Sequence, residues 1–318
     1  MNDLASTVAH PRLNALVKRA RERSQQPVPA VGVVYPCDAL ALETASRIAR
    51  LGIARPVLIG PLELIERASD AAAVDVRDFE LVASRDPPRE AARHATTLAR
   101  SGAVCALMKG ALHTDELMSA VVDKLTGLRR GCRISHAFLF DLPRYHKLLA
   151  LTDCVVNIAP NVAAKHDILG NAIELLRWIG IERPKIGILA AIETVNAAIP
   201  ATLDARALVQ MADEGAWPGA IVEGPLGFDN AFSAAAARIK RIESQVAGDV
   251  DLMLMPDLNA GNLLYKSFNY VGGGECAGLV LGASVPIVLT SRADSIAARI
   301  ASVALAVLAA GARIPPEI

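Results

Sequence analysis

Aromatic residues are scarce in this sequence: six Phe, four Tyr and two Trp make up 4% of 318 residues. A core with so few rings must be aliphatic, which suits parallel sheets covered by helices. Cysteine is sparse as well. Cys37, Cys105, Cys132, Cys154 and Cys276 are scattered, odd in number and without a C-x-x-C pair. That pattern argues against a disulfide framework or a zinc site and for buried free thiols in a reducing compartment. Charge of one sign is missing too, since 33 Lys and Arg balance 33 Asp and Glu. No global field gathers nucleic acid or anionic lipid, so any anion site must be local. The sequence does not open on an apolar leader, and its longest apolar run near the end, residues 300–312, is too short to span a bilayer. The expectation is a soluble cytoplasmic protein with no nucleic-acid or membrane partner.

Nucleotide-cradling motifs are absent. The first strand-to-helix turn, Tyr35-Pro36-Cys37-Asp38, has no G-x-G-x-x-G, and no Walker A sequence occurs. Residues 272–277 fit a loose G-x-G-x-x-A but follow a helix and precede a strand, the wrong order for a dinucleotide turn. His136, His146 and His166 lack metal-ligand spacing, so no metal site is expected.

What is present is extensive apolar patterning. A hydrophobic fraction of 53% with 21% charged residues excludes disorder, and the length accommodates two domains or one large α/β domain. Residues 11–23 carry Leu13, Leu16, Val17 and Ala20 on one stripe, the pattern of a surface helix. Strands are predicted over 29–35, 56–60, 79–83, 103–108, 134–140, 153–159, 184–191 and 220–222. Helices are predicted over 39–51, 61–68, 89–101, 161–180, 202–212 and 230–242. Strands and helices in alternation, joined by short turns, imply βαβ units with right-handed crossovers.

The stretch 252–294 twice stops a buried apolar run and plants polar residues there. The run ending at Met255 is halted by Pro256, after which Asp257, Asn259, Gly261 and Asn262 open a helix. The run 286–290 ends in Ser291, Arg292, Ala293 and Asp294, then a helix over 295–310. Ligands of open parallel sheets collect at the carboxyl ends of strands, where helix N-termini point bare N–H groups at anions. Lys109-Gly110 closes another strand, and His113-Thr114-Asp115-Glu116 starts the next helix. Thr114 or Asp115 is a plain N-cap on one reading; Lys109 meets an anion on the other.

Six stretches together resemble the phosphate acetyl/butyryltransferase family: 255–268 (MPDLNAGNLLYKSF), 286–295 (PIVLTSRADS), 107–114 (LMKGALHT), 157–161 (NIAPN), 200–205 (PATLDA) and 223–231 (EGPLGFDNA). The Met-Lys-Gly and Thr-Ser-Arg-Ala-Asp-Ser forms look more like the butyryltransferase branch. The resemblance implies an enzyme, an acyltransferase moving a short acyl group between coenzyme A and inorganic phosphate. Coenzyme A would be a substrate, with no tightly bound cofactor and no metal. It implies an α/β fold like that of isocitrate and isopropylmalate dehydrogenases: two lobes of mostly parallel sheets with flanking helices, and an active-site cleft between them. The first lobe would hold 1–134 plus 284–318 and the second 135–283, and the molecule would be a homodimer or a higher homo-oligomer.

The chemistry then expected is attack of the coenzyme A thiolate on an acyl phosphate. Ser291, Arg292 and Asp294 are the catalytic candidates implied. Arg292 offers a fork for phosphate, and Ser291 with nearby backbone N–H groups offers donors for an oxyanion. Ser291 is otherwise an N-cap, and Arg292 a surface charge. Lys109, Gly110, His113, Thr114, Asp257, Asn259, Gly261 and Asn262 are the substrate-binding candidates. Asn amides suit an acyl phosphate or a pantetheine amide, and Gly261 permits close backbone approach. Two positions depart from the family. Its acetyltransferases carry a catalytic Asp where this chain has Ala298, so Asp294 is the substitute base or a helix cap. An ordinary carboxylate facing an ordinary thiol is about 4.5 pKa units short, roughly 6 kcal/mol. Ser119 stands where family members often have Arg, and Arg129, Arg130 and Arg133 are candidates to restore that charge. Two alternatives remain: an idle regulator that binds coenzyme A or phosphate, and a dehydrogenase of the same fold.

Overall fold

A computed structural model describes residues 10–24, 27–289, 291 and 294–313. In chain order the elements begin with α1 (Pro11–Arg23), β1 (Ala30–Val34), α2 (Ala39–Arg50), β2 (Arg55–Gly60), α3 (Leu62–Ala72) and β3 (Glu80–Ala83). They continue with α4 (Pro88–Arg100), β4 (Ala106–Lys109), α5 (Thr114–Val121), β5 (Ser135–Asp141), β6 (Leu149–Thr152), α6 (Val162–Trp178), β7 (Lys185–Leu189) and α7 (Pro200–Asp213). Last come β8 (Ile221–Leu226), α8 (Phe228–Phe232), α9 (Ala234–Ile239), β9 (Leu252–Leu254), α10 (Leu258–Tyr270), β10 (Glu275–Leu281), β11 (Ile287–Val288) and α11 (Ile296–Arg313). The chain divides into two compact units. A terminal unit comprises Leu16–His136, Trp178–Gly180 and Ala277–Ile318, and a middle unit comprises Met1–Ala15, Ala137–Arg177 and Ile181–Cys276.

In the terminal unit the strands run in the order β3-β2-β1-β4-β11-β10. All pair in parallel except β10, which meets β11 antiparallel at Val280 and Ile287. Strands β1, β2 and β4 are apolar runs because both faces are covered: Val33, Leu58, Ile59, Leu107 and Met108 have essentially no exposure. Helix α11 packs on α2, β4 and β11, burying Val303, Ala304, Leu305 and Ala306. This half has the aliphatic core that the composition implies.

The middle unit has the order β5-β6-β9-β7-β8, with β5 and β6 antiparallel and the others parallel. Its core concentrates the few aromatics. Phe140 meets Phe268 edge-on at 5.2 Å, and Phe138 stacks on Tyr265 at 4.6 Å. The first N–H groups of α1 are satisfied from far along the chain. Buried Asp141 accepts from the Arg12 and Leu13 amides at 2.7 and 3.3 Å and pairs with the Arg12 guanidinium at 2.5 Å.

Three predicted elements differ from the structure, each for a local reason. Residues 153–159 form a turn, not a strand, and the strand lies earlier, at β6. The Asp153 carboxylate takes the amides of Val155 and Val156 at 2.8 and 2.9 Å, diverting backbone donors from a ladder. Strand β8 continues through Glu223-Gly224-Pro225, where the sequence predicts a stop at 222. It is the last strand in its order, so a residue without an N–H is tolerated there. The helix predicted over 230–242 breaks at Ser233, which has extended φ and ψ and caps α9 by accepting from the Ala236 amide.

Candidate functional site

In the terminal unit, the carboxyl ends of three neighbouring parallel strands, β1, β4 and β11, lead into the candidate residues. The turns after β1 and β4 and the first turn of α11 line a cavity of about 510 Å³. Asp38, Lys109, Gly110, His113, Thr114 and Arg299 are in its wall. Four sequence-predicted residues therefore share one cavity. Gly110 is required there for packing. A Cβ on it would lie 2.5 Å from the Tyr35 carbonyl oxygen, which the Ala111 amide uses as acceptor at 2.8 Å. That close approach keeps the β4–α5 turn against the β1–α2 turn. The Lys109 ammonium donates to the Gly110 carbonyl at 3.2 Å.

His113, not Thr114 or Asp115, occupies the N-cap position of α5, and the Glu116 carboxylate reaches back to the His113 amide at 2.8 Å. His113 and Thr114 are exposed. Asp38 caps α2 by accepting from the Ala41 amide at 2.7 Å. Two helix N-termini and the Lys109 cation thus face one cavity, an arrangement that favours anions.

After β11 comes the loop with the catalytic candidates. Arg292 lies outside the described residues. Asp294 does not cap α11, because Ser295 does so by accepting from the Ala298 amide at 2.9 Å. Asp294 instead closes a tight turn: its Oδ2 accepts from the Ser291 amide at 2.6 Å, and its own amide donates to the Ser291 carbonyl at 3.2 Å. The Ser291 N–H is therefore committed within the turn and is not a donor for an oxyanion. Ala298, at the family's Asp position, is buried.

Arg299 escaped the sequence reading, where it looks like one charge on an apolar helix. Only 4% of it is exposed, and its Nη2 donates to the Ser291 carbonyl at 2.5 Å. Burial lowers its pKa, opposed by the nearby carboxylates of Asp294 and Asp38. A guanidinium keeps its proton under any ordinary condition. The signal was available in the sequence as a cation in the first turn of an otherwise apolar helix, eight residues after Ser291.

The thiol nearby is a poor nucleophile: burial, with Asp86 and Asp38 adding to it, pushes Cys37 up to about 12. The Ser119 position lies in the wall of a separate, smaller cavity of about 270 Å³ that includes Arg89 and Arg93 of α4. Positive charge reaches that wall from α4, not from Arg129, Arg130 or Arg133, none of which lines it.

In the middle unit the predicted residues are gathered at the start of α10, after β9. Asp257 caps the helix through the Ala260 amide at 3.0 Å. Gly261 is buried, and a Cβ there would sit 2.5 Å from the Asp153 carbonyl oxygen, so the glycine admits the chain's own backbone. Asn262 donates to the Cys154 carbonyl at 3.2 Å. Asn259 has an exposed side chain. The turn they meet is held by Asp153, which also accepts from the Asn157 amide group at 2.6 Å. Among the described residues no group of three or more His, Cys, Asp or Glu is placed to hold a metal ion. No helix among them is long and apolar enough to cross a membrane.

The profile of the family described as phosphate acetyl/butaryl transferase matches residues 82–307. The chain belongs to this family. Its curated relatives in the family include a phosphate acetyltransferase of Rickettsia felis, 48% identical over 86% of this chain and 78% of that protein. A phosphate butyryltransferase of Clostridium acetobutylicum is 37% identical over 94% of this chain and 98% of its own length. The fold is likewise that of a branched-chain phosphotransacylase from Enterococcus faecalis, with a TM-score of 0.78, 28% identity, and coverage of 89% of this chain and 99% of that one. A 4-hydroxythreonine-4-phosphate dehydrogenase from Klebsiella pneumoniae is similar in fold alone, with a TM-score of 0.56, 16% identity, and coverage of 89% of this chain and 99% of that one. The expected family, its acyltransferase class and the α/β fold therefore hold.

Proposed function

We propose that this chain interconverts a short-chain acyl-CoA plus phosphate and an acyl phosphate plus coenzyme A. The observation that carries the reading, beside family membership, is the anion-favouring cavity that shares its wall with the residue anchoring the Ser291 turn. In the direction of acyl-CoA synthesis, the coenzyme A sulfur attacks the carbonyl carbon of the acyl phosphate. The carbon–oxygen bond to phosphate breaks, phosphate leaves with the electron pair, and the thiol proton passes to a base. Asp294 is the carboxylate of the turn that can take it, and it must do so while holding the Ser291 amide. Arg292 is assigned to the phosphate, and the Ser291 hydroxyl, its amide being held by Asp294, to the developing oxyanion. The high pKa of Cys37 supports direct transfer over an acyl-cysteine intermediate, since a protonated thiol is a weak nucleophile.

Acetyl and butyryl are both within this reading, and the higher identity to a phosphate acetyltransferase makes acetyl the first to test. A cytoplasmic homodimer belongs to the same reading, and light scattering with cell fractionation checks it. The activity test follows thioester absorbance with acetyl phosphate or butyryl phosphate plus coenzyme A, for wild type beside Arg292→Ala. Acyl-CoA formation by wild type that is abolished in the variant supports the reading. Binding of coenzyme A without turnover of either substrate overturns it in favour of a regulator.

A further inference from the structure

Among the described residues, three that are not glycine have a positive φ: Tyr35 at 54°, Ala73 at 51° and Arg241 at 54°. Ala73 is the C-cap of α3 and Arg241 follows the C-cap of α9, places where a left-handed residue ends a helix. Tyr35 has no such reason. It leaves β1 and precedes Pro36, and a residue before proline favours extended backbone with φ of about −120°. The conformation is disfavoured twice over, and a glycine would adopt it freely. Strain of this kind persists where surrounding contacts over-determine it, and it collects at functional sites.

The polar groups of Tyr35 are all engaged. Its amide donates to the Ile59 carbonyl in β2 at 2.7 Å, and its carbonyl accepts from the Cys37 and Ala111 amides, each at 2.8 Å. Its hydroxyl donates to Asp86 Oδ1 at 3.1 Å. The Cys37 bond closes a three-residue turn about Pro36. The Ala111 bond reaches the β4–α5 turn, where Ala111 lines the 510 Å³ cavity beside Lys109, Gly110 and His113. An extended Tyr35 would turn its carbonyl away and leave the Ala111 amide without that acceptor. Of these bonds, the one from the hydroxyl is the one a glycine could not make. Asp86 is exposed, in the turn before α4, so the bond does not serve to fill a core. Burial, with the Asp86 bond adding to it, pushes the hydroxyl up to about 12, so it remains a donor at neutral pH.

We propose that Tyr35 is a positioning residue for the cavity: its hydroxyl, tied to Asp86, holds the left-handed turn that aims its carbonyl at Ala111 and so fixes the 109–114 wall. Its effect on turnover rests on the reaction proposed above, whereas its hold on the turn does not.

Two readouts separate these. Hydrogen exchange of the segment 107–114, followed by mass spectrometry, reports on the Ala111 amide, and kcat and KM for acetyl phosphate and coenzyme A report on the site. Both are measured on wild type, Tyr35→Phe, Asp86→Ala, Asp86→Asn and the double variant Tyr35→Phe/Asp86→Ala, with thermal melts beside them. Tyr35→Phe and Asp86→Ala should each speed exchange in 107–114 by about three- to tenfold and lower kcat/KM by a similar factor, the size of one hydrogen bond, with the melting temperature unchanged. The double variant should lose no more than either single one, because both remove the same bond. Asp86→Asn, which keeps an acceptor oxygen, should recover most of the loss. A purely structural bond would instead raise exchange throughout the terminal unit and lower the melting temperature. That outcome overturns the proposal, as do unchanged exchange in 107–114, losses that add in the double variant, or faster exchange with unchanged kcat/KM in an active enzyme. If Tyr35→Phe does not fold, Asp86→Ala carries the test with the same outcomes. Faster exchange confined to 107–114 in a protein that makes no acyl-CoA would uphold the hold of Tyr35 on the turn and refute the proposed reaction.

Discussion

Replacing Asp294 by Asn separates the task that the structure shows for this carboxylate, closing the Ser291 turn, from the one proposed for it, taking the thiol proton. Asn retains an oxygen that can accept from the Ser291 amide, now 2.6 Å from Asp294 Oδ2, so the turn should persist. The charge is lost, and a charge-assisted bond is worth roughly twice a neutral one, a difference of about 1–1.5 kcal/mol. If closing the turn is the whole role, kcat falls by about five- to tenfold and the pH profile keeps its wild-type shape. If Asp294 also receives the thiol proton, the loss is on the order of 10²–10⁴. The variant's rate then depends on the free thiolate and climbs about tenfold per pH unit towards the thiol pKa near 8.5. Initial rates of thioester formation from pH 6 to 9, from about 2.5 units below that thiol pKa to about 0.5 above it, distinguish the two. We expect the larger loss and the altered slope. A loss under about tenfold with an unchanged profile would refute Asp294 as the base.

Other outcomes follow from groups already placed. Asp141→Ala removes a buried acceptor from two amides and the Arg12 guanidinium, and should cost about 2–3 kcal/mol in urea unfolding. A change below about 0.5 kcal/mol would show that water replaces it. Asp249 is held below its usual pKa: burial alone would raise it, but Lys185, Lys147 and His146 outweigh burial. Its contribution is present above the unfolded value near 3.8 and disappears as pH falls through the lower folded value. After allowance for its partial exposure, Asp249→Asn should lose about 1 kcal/mol at pH 6, and the difference from wild type should shrink as pH falls below 3.8, as read from denaturation midpoints. Cys37→Ser should keep turnover within about twofold, since at pH 7.5 on the order of one Cys37 in ten thousand or fewer is thiolate. Rapid alkylation of Cys37 by iodoacetamide with loss of activity would contradict that.

What the sequence made legible was whatever depends on burial by whole elements. Strands β1, β2 and β4 read as apolar runs because helices cover both faces, and α1 was read with the bounds it has because its stripe and proline mark them. The residues at the strand ends were legible as candidates, but their partners were not. Nothing local says that Asp294 will hold the Ser291 amide, or that Gly110 and Gly261 make room for Tyr35 and Asp153. Those contacts join segments tens of residues apart or depend on the sharpness of one turn. Arg299 shows the same limit: its charge predicts a solvated face, and only the packing of α11 makes it a buried donor.

The Asp141 clasp on α1 has a consequence for synthesis. The helix spans residues 11 to 23, but the carboxylate that answers its first amides is residue 141. At about 5–20 residues per second, a ribosome needs on the order of ten seconds to bridge that interval. Throughout it the leading turn of α1 has only water for an acceptor, and a 13-residue helix is marginal alone. The start of the chain is therefore set late, by β5, and nascent chains halted before residue 141 should show α1 exchanging its amide protons freely.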